Sequence, residues 1–222
     1  MKKNLQRDED GTDHEMAWDY WRVIGQLSFL EKSSRPDIAY AVHQCARFAA
    51  NPRTSHKHAV LWIGRYLMRT KSMGLTMRPN NNPLELWCEA DFCGNWNQAT
   101  AGNDRSNAKS RTGLVMYAGC PLKWSSKMQT ETALSTTEAE FIALSERLRT
   151  AIPVMSFIEE LREELTEDLS RVKCRVFEDN TGAKTIVAVP KFRPRTKHIN
   201  IKYWLFIEHV EKGMIDIQSV ES

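Results

Sequence analysis

The chain is 222 residues long, 41% hydrophobic and 27% charged, which suits one ordinary globular domain, or one domain with a helical appendage, and excludes a disordered chain. Lysine and arginine total 31 against 28 aspartates and glutamates, so the formal charge of +3 excludes a polybasic nucleic-acid tail while leaving room for a local basic face. No apolar run reaches the roughly 18 residues that a membrane helix needs, and the start of the chain alternates in charge without the apolar stretch of a signal peptide, so an intracellular protein with no membrane span is expected.

Residues 1–16 are charged and lack periodicity, and read as a mobile leader. A helical segment follows over 17–80. Its first helix is expected over about residues 17–30, with Trp18, Trp21, Ile24 and Leu27 inward. The second begins at Pro36, whose missing N–H costs nothing at a first helical position, and carries Ile38, Ala41, Val42, Cys45 and Phe48 until Asn51-Pro52. The third places Ala59, Trp62, Ile63, Tyr66 and Leu67 at helical spacing before Gly74. These stripes read as core surfaces. The five cysteines, Cys45, Cys88, Cys93, Cys120 and Cys174, are scattered with no CxxC pair, so buried reduced thiols are expected rather than a zinc site.

Pro79-Asn80-Asn81-Asn82-Pro83 is the clearest break, and a second domain is expected over 84–222. Leu84, Leu86, Cys88 and Ala90 alternate on one face of a strand. Two further short strands, over 113–118 and 122–126, are joined by a hairpin at Gly119-Cys120-Pro121, and the polar stretch 95–111 reads as a loop. Ser135-Thr136-Thr137-Glu138 has capping-box spacing and should start a helix to about residue 151, with Pro153 kinking it or opening another to about residue 165. A strand over 172–177, a short helix over 180–189, a helix over 197–212 stopped by Gly213, and a last strand over 214–220 complete a mixed α/β layer fold.

Candidate chemistry lies where carboxylates end strands or start helices. Asp91 closes the first strand, Asp179 closes the fourth, and Glu140 lies in the first turns of the capped helix. Side chains at the carboxyl ends of neighbouring parallel strands meet at the rim of the sheet, where open α/β folds bind ligands. Three carboxylates converging there would repel one another unless a divalent cation sat among them. Magnesium prefers such oxygen ligands, and two ions about 4 Å apart can activate water and stabilise a leaving 3′ oxygen. Acidic residues at strand ends are also common as solvated caps, so spacing alone leaves both readings open.

Longer motifs discriminate better. Trp124-Ser125-Ser126-Lys127-Met128-Gln129, followed by Ala133-Leu134-Ser135-Thr136-Thr137-Glu138-Ala139-Glu140-Phe141-Ile142-Ala143-Leu144, closely resembles the RNase H domain of copia-type LTR retrotransposon polyproteins. Ser34-Arg35-Pro36-Asp37-Ile38-Ala39-Tyr40-Ala41-Val42 resembles the segment that links polymerase to RNase H in that family. Ala90-Asp91 with Gly94, Asp179-Asn180 with Ala183, and Arg195-Thr196-Lys197-His198-Ile199 are similar to later family motifs, in the same order.

The resemblance implies an RNase H-like α/β fold: a mixed five-stranded sheet in the order 3-2-1-4-5, its first three strands antiparallel and the fourth parallel to the first, flanked by helices and preceded by a helical connection segment. It implies that Asp91, Glu140 and Asp179 bind Mg²⁺, with Mn²⁺ as a substitute, and that the chain cleaves the RNA strand of RNA–DNA hybrids during reverse transcription. Glu140 is preferred to Glu138 because the family's glutamate directly precedes the residues matched by Phe141, Ile142 and Ala143. Ser135, Thr136, Thr137 and Asn180 would supply donors to 2′-hydroxyls, and Arg193, Arg195 and Lys197, beside Lys191 and His198, cations to phosphates. A reverse transcriptase polymerase domain is the implied partner, in the parent polyprotein or in trans. Asn200 and Trp204 depart from the family pattern and are assigned no role. The chain stops at Glu221-Ser222, before the short helix that carries a fourth aspartate in the family, so a truncated domain with weakened cleavage is expected. The rival expectation is a non-catalytic remnant that binds nucleic acid or has no activity. An integrase-type enzyme is disfavoured, because a glutamate stands on a helix directly after the third strand.

Overall fold

The computed structural model describes residues 4–8, 11, 18–78, 80, 82–100, 102–166, 171–180, 204 and 207–220. The chain divides into two compact units. One comprises Met1–Thr76, Cys93–Lys109 and Ser125–Lys127, the other Met77–Phe92, Ser110–Trp124 and Met128–Ser222.

In the first unit, α1 (Tyr20–Ser33) opens on Asp19, whose carboxylate accepts the Arg22 amide hydrogen at 3.2 Å. That cap starts the helix later than the apolar spacing suggested and turns Tyr20, Ile24, Leu27 and Glu31 inward. Trp21, expected inside, is 65% exposed, because one residue is about 100° of rotation from Tyr20. Trp18 precedes the helix and stacks on Tyr20 with ring centroids 6.0 Å apart. A 3₁₀ turn at Pro36–Ile38 leads into α2 (Ala39–Ala46), which buries Val42 and Cys45. In α3 (Thr54–Arg69) the inward residues are His56, Ala59, Val60 and Ile63, which leaves Trp62 63% exposed and Tyr66 on the surface, against expectation. His56 sets this phase: its Nδ1 accepts the Arg53 amide hydrogen at 2.9 Å and its ring stacks on Phe48 at 4.1 Å. The leader, expected to be mobile, is tied down at residues 4–8. The Leu5 carbonyl accepts from Arg47, Gln6 donates to the Asn95 carbonyl, and Arg7 donates to the Asn103 carbonyl.

The second unit is built on a five-stranded sheet in the order β3-β2-β1-β4-β5, as the resemblance implied. Its strands are β1 (Leu84–Asp91), β2 (Arg111–Tyr117), β3 (Pro121–Met128), β4 (Cys174–Glu178) and β5 (Ile215–Ser219). β1 runs antiparallel to β2 and parallel to β4, and β4 runs parallel to β5. Gly119, at φ +70°, makes the turn between β2 and β3. The alternation of β1 is observed: Leu84, Leu86, Cys88 and Ala90 are buried while Trp87, Glu89 and Asp91 are exposed. With Leu114, Met116, Cys174, Val176 and Ile215, this face packs on Phe141, Leu144, Leu148 and Met155 of α4 (Thr136–Thr166).

α4 is one helix of 31 residues with Pro153 inside it, so the second helix allowed for there does not open. Core contacts on both sides of the proline, at Ala151 and Met155, offset the missing hydrogen bond. A short α5 (Ile207–Glu211) precedes Gly213, at φ +67°, and β5. Residues 181–189 of the helix expected over 180–189, the first part of the helix expected from 197, Asn200, and the basic residues Arg193, Arg195 and Lys197 lie outside the described residues. All five cysteines are free, with Cys45, Cys88, Cys120 and Cys174 buried. Among the described residues no helix is long and apolar enough to cross a membrane.

Candidate metal centre

Parallel pairing of β1 with β4 creates the site. The register aligns Leu86 with Val176 and Trp87 with Phe177. Continued by two residues, it sets Cys88 beside Glu178 on the core face and Glu89 beside Asp179 on the other. Two adjacent parallel strands therefore present carboxylates at their carboxyl ends, where open α/β folds bind ligands. Glu140 comes to the same rim from α4. Carboxylate oxygens of Glu89, Glu140 and Asp179 all lie within 4.8 Å of one another.

The start of α4 aims Glu140. Ser135 Oγ accepts the Glu138 amide hydrogen at 3.1 Å, as the capping pattern predicts. Glu138 reaches back one residue further than a capping box requires, and its Oε2 accepts the Leu134 amide hydrogen at 2.9 Å. Glu138 is thus engaged in the cap. Glu140, in the second turn, is only 3% exposed. Gln129 locks this arrangement to the sheet: its Nε2 donates to the Ala139 carbonyl at 2.8 Å and to Thr112 Oγ1 at 3.1 Å, and its own amide donates to the Ser110 carbonyl at 2.9 Å. Gln129→Leu should therefore cost about 2–3 kcal/mol, two buried hydrogen bonds at roughly 1 kcal/mol each with one acceptor left unpaired. Urea unfolding of the variant measures this directly.

Burial and like charge set the electrostatics of Glu140, Glu178 and Glu89. The Glu140 carboxyl is pushed up to about 9, first by burial and then by the charges of Glu178, Glu89 and Asp179, with the Ala90 amide pulling the other way. Glu178, fully buried, is pushed up to about 7, again first by burial. Glu89 is raised by partial burial and by the negative charges of Asp179 and Asp91. Glu140 Oε2 is buried with no hydrogen-bond partner. A hard divalent ion would satisfy that oxygen and neutralise its neighbours, and an all-oxygen donor set suits Mg²⁺.

Of the expected triad, Glu140 and Asp179 come together and Asp91 stands outside the cluster. Glu89 takes its place. Asp91 lies two residues further along β1, about 7 Å on, opposite Arg111 of β2 and past the end of β4. Glu89 and Asp91 share one face of the strand, so alternation alone could not choose between them. Ser135 and Thr136 are exposed in the first turn of α4, and Thr137 and Asn180 are half-buried near the cluster. Glu178 was not singled out as a site residue. A charged residue in phase with Cys174 and Val176 was the available signal for Glu178.

No family model matches the chain. The chain is 34% identical over 203 residues to the retrovirus-related Pol polyprotein from transposon TNT 1-94 of Nicotiana tabacum, a match covering 91% of this chain and 14% of the relative. It is 31% identical over 206 residues to the corresponding polyprotein from transposon RE1 of Arabidopsis thaliana, covering 92% of this chain and 13% of the relative. The chain thus spans about a seventh of the length of these relatives. Among solved structures, the foamy viral protease-reverse transcriptase dRH in complex with ds DNA is similar in fold, with a TM-score of 0.52 at 13% identity over 96% of this chain and 34% of that one. The ordered sequence match and the mixed sheet agree, and the chain belongs to the Pol polyproteins of copia-type LTR retrotransposons, in the part that folds as an RNase H-like domain.

Proposed function

We propose that this chain is a divalent-metal-dependent nuclease of the RNase H type, acting on the RNA strand of RNA–DNA hybrids, with Glu89, Glu140 and Asp179 as metal ligands. The observation that carries this reading is the convergence of three carboxylates within 4.8 Å, one of them with a buried, unpartnered oxygen. Burying that oxygen without a partner is costly, and a bound cation would offset the cost. A divalent cation, Mg²⁺ or Mn²⁺ in its place, would supply Lewis acidity toward the scissile phosphate and lower the pKa of attacking water.

The chain's own residues would do the rest. Glu89 and Asp179 are exposed and face the solvent from which the duplex arrives, while Glu140 is fixed by its burial and by the Gln129 clasp. Fixed ligands hold the reacting phosphate in one orientation, which is where much of such a rate enhancement arises. Ser135 and Thr136 on the exposed first turn of α4 would donate to the backbone or the 2′-hydroxyls of the hybrid, with Thr137 and Asn180 beside them. Arg193, Arg195 and Lys197 would bind phosphates and give affinity its salt dependence. The solved relative of similar fold is a protease-reverse transcriptase in complex with duplex DNA, which supports a duplex as the ligand and a polymerase domain as the partner. The helical segment 17–80 would then connect the two activities.

A labelled RNA–DNA hybrid incubated with the chain in Mg²⁺, Mn²⁺ or EDTA tests the reading. Cleavage of the RNA strand that EDTA blocks is the expected result. Hybrid binding with no cleavage in either metal would instead assign the chain to a non-catalytic remnant.

A further inference from the structure

Glu178 is an acidic side chain in a core position. It follows Cys174 and Val176 on the buried face of β4 and is 0% exposed. An apolar residue would fill that position without the desolvation cost that a carboxyl group carries. Its two oxygens reach both central strands. Oε1 accepts the Asn180 amide hydrogen at 3.2 Å, across the intervening Asp179. Oε2 lies 3.9 Å from the Cys88 thiol, which donates to it from the residue before Glu89. One buried side chain thus grips the residue after one cluster carboxylate and the residue before another. The grip matters at this place because β4 ends at Glu178, so the ladder with β5 no longer holds Asp179.

We propose that Glu178 is a positioning residue of the acidic cluster: its hydrogen bonds to the Asn180 amide and the Cys88 thiol hold Asp179 and Glu89 at ligand spacing from beneath the sheet. The proposal rests on the reading of Glu89, Glu140 and Asp179 as metal ligands. Groups that orient metal ligands by hydrogen bonding typically change affinity by about 10–100-fold when removed.

The test is Mn²⁺ binding to the full chain, by calorimetry and by the spin resonance of bound ion. Glu178→Gln keeps an oxygen that can accept the Asn180 amide hydrogen and should bind within about threefold of the parent. Glu178→Met has similar reach and no comparable acceptor, and should bind about 10–100-fold more weakly. Val176→Ala, on the same buried face, should lower the melting temperature and leave Mn²⁺ affinity unchanged, which separates positioning from general loosening. If Glu178→Met does not fold, Glu178→Ala takes its place with the same expectation. Parent-like affinity in Glu178→Met would overturn the proposal and leave the metal site standing. Equal losses in Glu178→Gln and Glu178→Met would also overturn it, because the lost charge and not the hydrogen bond would then be responsible. A parent chain that binds no Mn²⁺ would remove the metal site itself and this proposal with it.

Discussion

Glu89→Gln should reduce hybrid cleavage by about 10²-fold or more, whereas Asp91→Asn should leave it within a few-fold of the parent. A carboxylate lost from the cluster removes a charged ligand and lets the remaining groups shift, and small misplacements of a reacting group cost about that factor. Asp91 acts only at longer range, as one of the negative charges felt by Glu89. Initial rates on a labelled hybrid, together with Mg²⁺ titrations of each variant, check the ranking. Binding titrations alone suffice if turnover is slow, because the same ligands set both. The reverse order, with Asp91→Asn inactive and Glu89→Gln active, would restore the aspartate to the site and mean that the register of β1 against β4 does not extend to Glu89.

Glu140→Gln should abolish metal binding and at the same time stabilise the metal-free chain at alkaline pH. The Glu140 carboxyl is raised from 4.5 to about 9, chiefly by burial and then by Glu178, Glu89 and Asp179. Between those two values the folded chain keeps a proton that the unfolded chain gives up, so stability falls as pH rises through the window. Glu178, raised from 4.5 to about 7, adds to the fall over the lower half of the same range. The metal-free parent should therefore melt at a lower temperature at pH 8 than at pH 5.5. Glutamine at position 140 cannot ionise and should recover on the order of 2–4 kcal/mol at pH 8, each kcal/mol being about 2–4 °C for a chain of this size. Mg²⁺ should raise the parent's melting temperature most at high pH and leave that of Glu140→Gln nearly unchanged. Calorimetric scans from pH 5.5 to 9, with and without Mg²⁺, decide the matter. A flat profile for the metal-free parent would mean that Glu140 is not buried among like charges.

Both expectations depend on tension among carboxylates, which a proton on Glu140 relieves in the metal-free chain and a cation would relieve in its place. The same tension explains why Gln129 and the Ser135 cap surround Glu140 with hydrogen bonds that do not touch its carboxylate. The Gln129 bonds hold the helix against the sheet where the repulsion would otherwise push it away, and the Ser135 cap fixes its first turn. Stability sacrificed at Glu140 is regained in the apolar stripe of α4 from Phe141 to Met155, at about 25 cal/mol per Å² of buried apolar surface.

Local pattern was enough for much of this molecule. Period-two alternation from Leu84 to Ala90 placed β1 and its inner face, the glycine and proline punctuation placed the β2–β3 turn, and Ser135 marked the start of α4, because each depends on neighbours within a turn or a strand. The ordered motifs around Trp124 to Leu144 and at Asp179-Asn180 carried the family, and with it the strand order. Helix phase was less accessible. Trp21, Trp62 and Tyr66 fit an apolar stripe as well as Tyr20 and Val60 do, and the choice fell to the Asp19 cap and the His56 anchor. The cluster needed more still. Glu89 and Asp91 are equivalent to any pattern confined to one strand, since both point the same way. Only the pairing of β1 with a strand more than eighty residues later sets Glu89 level with Asp179, and only the packing of α4 brings Glu140 to meet them. Distance along the chain carries no information about such register, which the close packing of the core between α4 and the sheet decides.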